Sequence, residues 1–197
     1  MTGEADVPKN TSRAIVIPLD ERTLGEFIAS LLGQRRSIER NFNDRRFEID
    51  SNWLLNLDDV ILQRINSQHT AKLVSFSARI YFSNGKIVTL EEEKSFRHYN
   101  DISSEISVGV DLRWSFLIKF PLAGIPEKQE IRFAAFTDAT IIGEVKAKER
   151  RSSRSFLSTR GEDERFLYSV QFTNVTWGED LSATIDAYIT GKSEGMP

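Results

Sequence analysis

From Ile106 to Phe120 every second residue is apolar: Ile106, Val108, Val110, Leu112, Trp114, Phe116, Ile118 and Phe120. Between them stand Ser107, Gly109, Asp111, Arg113, Ser115, Leu117 and Lys119, nearly all small or polar. Side chains on a strand point alternately to opposite faces, so the run makes one apolar and one mostly wet face. A chain carrying it must build a sheet covered on one side, which excludes an all-helical domain. The run is also long, roughly 50 Å if straight. A strand of that reach is expected to bend, to carry a bulge near Gly109, or to run past its own core. In the last case Trp114 and Phe116 would be left for a ligand or partner.

Other segments repeat the alternation. Val74, Phe76, Ala78, Ile80 and Phe82 lead into Asn84-Gly85, a strong hairpin signal, and Lys86 to Leu90 returns. Ile131, Phe133 and Ala135, and then Phe166, Tyr168, Val170 and Phe172, have the same period, while Arg13 to Leu19 and Ala139 to Val145 read as shorter strands. Helical spacing appears three times: at Leu24, Phe27, Ile28, Leu31 and Leu32; at Trp53, Leu54, Leu57, Val60, Ile61 and Ile65; and at Trp177, Leu181, Ile185 and Tyr188 or Ile189. Thr23 with Glu26, and Thr176 with Glu179, have capping-box spacing, and Asp50 or Ser51 is placed to cap the second helix. Both capping boxes enclose a glycine, but two ordinary helix starts explain that echo more simply than a duplication does.

The expected fold is therefore α+β. It has a curved, mainly antiparallel sheet of six or seven strands, one of them long and near 106–120. Three amphipathic helices, near 21–32, 52–67 and 177–190, pack on one face. Residues 1–12 and 191–197 read as disordered tails around a single domain, 13–190. A mobile basic loop lies near 147–163. The 197 residues, 40% of them hydrophobic, suffice for one sizeable core.

Cysteine is absent, which rules out disulfides, thiolate metal sites and cysteine nucleophiles. The first ten residues have no apolar stretch like that of a signal peptide, and no window is long and apolar enough to cross a membrane, so the expected location is cytoplasmic. The net charge of −3 gives no general attraction to nucleic acid. The charge is uneven, however: Lys146, Lys148, Arg150, Arg151, Arg154 and Arg160 crowd one segment, and a mainly acidic one follows. Arg150, Arg151 and Arg154 are thus candidates for holding phosphates of nucleic acid or an anionic surface.

The enzymatic candidate is Asp138 followed by Glu144-Val145-Lys146 across an apolar stretch. An acid and then Glu-x-Lys resembles the PD-(D/E)xK nucleases. That resemblance implies carboxylates holding a divalent metal and a lysine positioning the attacking water. Phe136-Thr137 stands where that family has a proline, and the intervening segment is short for a hairpin. The two histidines, His69 and His98, lack the spacing of metal ligands, and no Gly-x-Ser-x-Gly elbow occurs. Gly191-Lys192-Ser193 follows a helix instead of opening one, so it does not make a phosphate loop. No cofactor or metal site is implied. The element order is similar to that of helix-grip lipid binders, which implies a pocket for a hydrophobic ligand as a further alternative. The expectation is a non-catalytic domain that binds another protein or a second copy of itself, or serves as the soluble portion of a larger assembly.

Overall fold

A computed structural model describes residues 21–32, 35–42, 49–68, 70–100, 104–137 and 166–193. Helix α1 (Glu21–Leu32) is followed by strand β1 (Arg36–Asn41) and helix α2 (Ser51–Gln68). Next come β2 (Thr70–Phe82), β3 (Ile87–Leu90), the short α3 (Glu93–Arg97), β4 (Ser107–Lys119) and β5 (Glu127–Phe136). Strand β6 (Phe166–Phe172) and helix α4 (Val175–Ser193) complete the described part. The strands form one open, curved, antiparallel sheet in the order β1-β6-β5-β4-β2-β3. The α+β class with a curved sheet is therefore observed.

The alternation in β4 works as its sequence demands. Val110, Leu112, Trp114, Phe116, Ile118 and Phe120 are all buried in the main core. They meet matching residues on β5 and β2: Phe133 lies opposite Leu112, Ile131 opposite Trp114, and Phe76 again opposite Trp114. The strand does not run past its core. It is accommodated by irregular pairing: the register with β2 skips Val108, so a bulge sits beside Gly109. The close approach of Phe136 also requires a glycine at 109, because a Cβ there would lie 2.3 Å from the Phe136 ring.

A second irregularity falls in β2, where the register jumps between Leu73 and Ser75. Val74 is the extra residue and is 54% exposed. The inward set is therefore Leu73, Phe76 and Ala78 rather than an unbroken run from Val74, since one inserted residue flips every side chain beyond it. The hairpin to β3 closes through Ser83-Asn84-Gly85, with the Phe82 N–H donating to the Lys86 carbonyl at 3.0 Å. Gly85 takes φ +82°, the left-handed conformation that a three-residue hairpin loop needs at its last position.

Helices α2, α3 and α4 cover the apolar face. Asp50 caps α2: its Oδ1 accepts from the Trp53 N–H at 2.6 Å. Helix α4 starts two residues before the expected position, because Asn174 rather than Thr176 is the cap, accepting from the Trp177 N–H at 3.0 Å. Trp53 ties the layers together. Its ring lies 5.3 Å from Phe133 and 5.1 Å from Tyr188, and the Tyr188 hydroxyl donates to its carbonyl at 2.8 Å. The turn of helix between β3 and β4 contributes Phe96, whose ring packs 5.4 Å from Phe76. Helix α1 lies against β5 and places none of its described side chains in the main core. Leu24 and Ile28, part of its apolar stripe, are 41% and 46% exposed.

Candidate functional site

Trp114 and Phe116, the residues a protruding strand would offer to a partner, are enclosed among β2, β5 and the helices above them. Asp138, Glu144, Lys146, Arg150, Arg151 and Arg154 lie outside the described residues, as do His69 and the strands expected at 13–19 and 139–145. His98 is exposed, with its Nδ1 2.8 Å from the Lys94 carbonyl at the end of α3. Among the described residues no group of three or more His, Asp or Glu is placed to hold a metal ion. No helix among them is long and apolar enough to cross a membrane. On the sheet face beneath α2, the Trp53, Phe133 and Phe166 rings stand 5.1–6.1 Å apart.

Two polar clusters escaped the reading of the sequence. The first joins three elements beneath α3. Asp58, on the buried side of α2, accepts the Trp114 indole N–H at 2.8 Å and is also bonded by the Arg97 guanidinium. Arg97 reaches Asp59 at 2.7 Å and Glu93 at 2.6 Å. Burial pushes the Asp58 carboxyl above its ordinary value, and the Trp114 and Arg97 contacts offset only part of that rise. The Arg97 guanidinium loses solvation, yet its three carboxylate neighbours hold it more firmly protonated than usual. One arginine thus fastens α3 to α2.

The second cluster lies on the other face of the sheet. Asp111 of β4 takes two contacts from Arg132 of β5, at 2.9 and 2.7 Å, and two from Arg113, at 3.3 and 2.9 Å. Burial alone would raise the Asp111 carboxyl, but Arg132 and Arg113 outweigh it and hold the group below the usual range. The antiparallel register explains the meeting. Arg113 lies directly opposite Arg132, and Asp111 is one same-face step away, opposite Ala134. In the chain Asp111 and Arg113 read as routine polar positions of a strand, and only strand pairing brings Arg132 beside them. Nearby, Glu130 accepts from Arg35 at 2.5 Å and pairs with Lys128 at 2.6 Å. Burial works against its ionisation, yet Lys128 and Arg35 lower its carboxyl pKa.

Both clusters bind elements of this chain to one another. The exposed large apolar residues lie elsewhere: Leu24 and Ile28 one turn apart on α1, Val74 in the β2 bulge, Ile87 on β3, Ile106 just before β4 and Leu122 between β4 and β5. The Arg22–Glu26 ion pair, 3.2 Å and on the surface, lies on the opposite face of α1 from Leu24 and Ile28. No family model, no curated protein and no solved structure matches the chain.

Proposed function

We propose that this chain is a protein-binding domain that acts without catalysis and presents α1 to its partner. The observation that carries the reading is the exposure of Leu24 and Ile28 on a regular helix. Spaced i, i+4, they share one face of α1, and the charged Arg22–Glu26 pair, also spaced i, i+4, occupies the opposite face. An amphipathic helix with an apolar face turned outward suits insertion into a groove of another protein. The substitutions Leu24→Asp and Ile28→Asp change exposed positions, so the folded chain should tolerate them.

Affinity purification from the chain's native cells, with the doubly substituted chain as control, tests the proposal. A partner should be recovered whose yield falls at least about tenfold with the variant, while the thermal midpoint moves little. Identical recoveries from the two chains would sink the α1 surface. Metal-dependent cleavage of DNA with Mg²⁺ or Mn²⁺, lost in Glu144→Ala and Lys146→Ala, would replace the binding reading with an enzymatic one.

A further inference from the structure

We infer that β3 is a self-complementary edge through which two copies of this chain join their sheets. Among the described strands, β3 stands at one end of the sheet. The Phe82 N–H bonds the Lys86 carbonyl, and Ile80 lies opposite Val88, so Lys86, Val88 and Leu90 turn their backbone groups toward β2. Ile87, Thr89 and Glu91 turn theirs outward. All three are exposed, and among the described residues none of these outward groups has a hydrogen-bond partner. Such an edge is a template for a further strand.

The flanking charges choose the occupant. Lys86 precedes the strand and Glu91-Glu92 follow it, while Val88, Thr89 and Leu90 are uncharged. A two-fold axis perpendicular to the sheet at Thr89 pairs Thr89 with its copy and Val88 with Leu90. It also sets Lys86 of one copy opposite Glu92 of the other, twice. Only registers that keep like faces together satisfy such an axis, and this one also brings the outward-turned backbone groups of 87, 89 and 91 into register.

The other end of the sheet behaves differently. The Phe42 N–H bonds the Phe166 carbonyl, so Ser37, Glu39 and Asn41 of β1 turn outward. A two-fold axis at Glu39, the centre of that outward set, would place two like charges face to face, which disfavours that register.

This surface is separate from α1, so its failure and that of the proposed function are distinguishable: changes at Leu24 and Ile28 leave it intact, and changes in β3 leave partner capture intact. The interface is one strand pair, small enough that dimerisation should appear only as concentration rises over a roughly hundredfold range in sedimentation equilibrium. Lys86→Glu and Glu92→Lys should each weaken the dimer about tenfold, since each turns both ion pairs repulsive. An equal mixture of the two variants re-forms both pairs and should dimerise like the wild type. Thr89→Pro removes an N–H that β2 does not use and should leave a folded monomer with an unchanged thermal midpoint. A wild-type chain that stays monomeric throughout, or a mixture no stronger than either variant alone, overturns the inference.

Discussion

Asp58 and Asp111 are both sealed from water, and their surroundings push them in opposite directions. For Asp58 burial dominates, so its folded pKa lies above the ordinary 3.8. Its contribution to stability is then complete below 3.8 and is lost as pH rises through the folded value. Asn at 58 keeps an oxygen for the Trp114 indole but has no charge to titrate. The stability of wild type relative to Asp58→Asn should therefore fall as the pH is raised from the ordinary carboxyl value. For Asp111 two arginines dominate, and the folded pKa lies below 3.8. Its contribution is complete above 3.8 and is lost as pH falls through the folded value. Near neutral pH, Asp111→Asn should cost about 3–5 kcal/mol, because two guanidiniums lose the carboxylate between them. Denaturant unfolding of the three chains across pH reads both trends. If the two differences moved with the same sign, the electrostatic account of one cluster would be wrong.

At the scale of elements, helices α1 and α4 open on similar residues and use them differently. Thr23-Leu24-Gly25-Glu26 and Thr176-Trp177-Gly178-Glu179 look alike in sequence. A Cβ on Gly25 would meet nothing within 4 Å, whereas one on Gly178 would lie 2.4 Å from the Phe172 ring. Gly25→Ala should stabilise the chain by up to about 1 kcal/mol through helix propensity. Gly178→Ala should destabilise it by about 1–3 kcal/mol despite the same gain, since the ring at the end of β6 must move. Thermal unfolding of the two variants checks this, and a shift of the same sign in both would remove the packing role of Gly178. The pair also marks how far the sequence could be read. Period 2 in β4 and period 3.6 in α2 and α4 follow from backbone geometry, so those elements and their apolar faces were legible in advance. The Val74 bulge was not, because Leu73 and Val74 are adjacent and equally apolar, and only pairing with β4 decides which one points inward. Nor was the burial of Trp114 and Phe116: alternation assigns a residue to a face and leaves open what covers that face. Asp58, Arg97 and Arg132 carry no local signal, since their partners come from distant parts of the chain.

For the molecule as a whole, the three tryptophans are well-placed reporters. Trp53 lies on α2, Trp114 on the central β4 and Trp177 on α4, and all three belong to one apolar cluster. Trp53 touches rings on β5, β6 and α4, Trp114 touches Phe76 of β2, and Trp177 meets Phe120 beyond the end of β4. No helix of this set can leave the sheet without opening the cluster that the others share. Packing of that kind makes loss of secondary structure and exposure of indoles a single event. Tryptophan fluorescence and far-ultraviolet circular dichroism should therefore give superimposable transitions in urea, with one midpoint. Leu57→Ala, which removes a fully buried side chain from α2, should lower that midpoint by the equivalent of about 2–5 kcal/mol while leaving the two signals coincident. If fluorescence changed before the dichroism, α2 or α4 would be separable from the sheet, and the single-domain organisation expected for 13–190 would have to be divided.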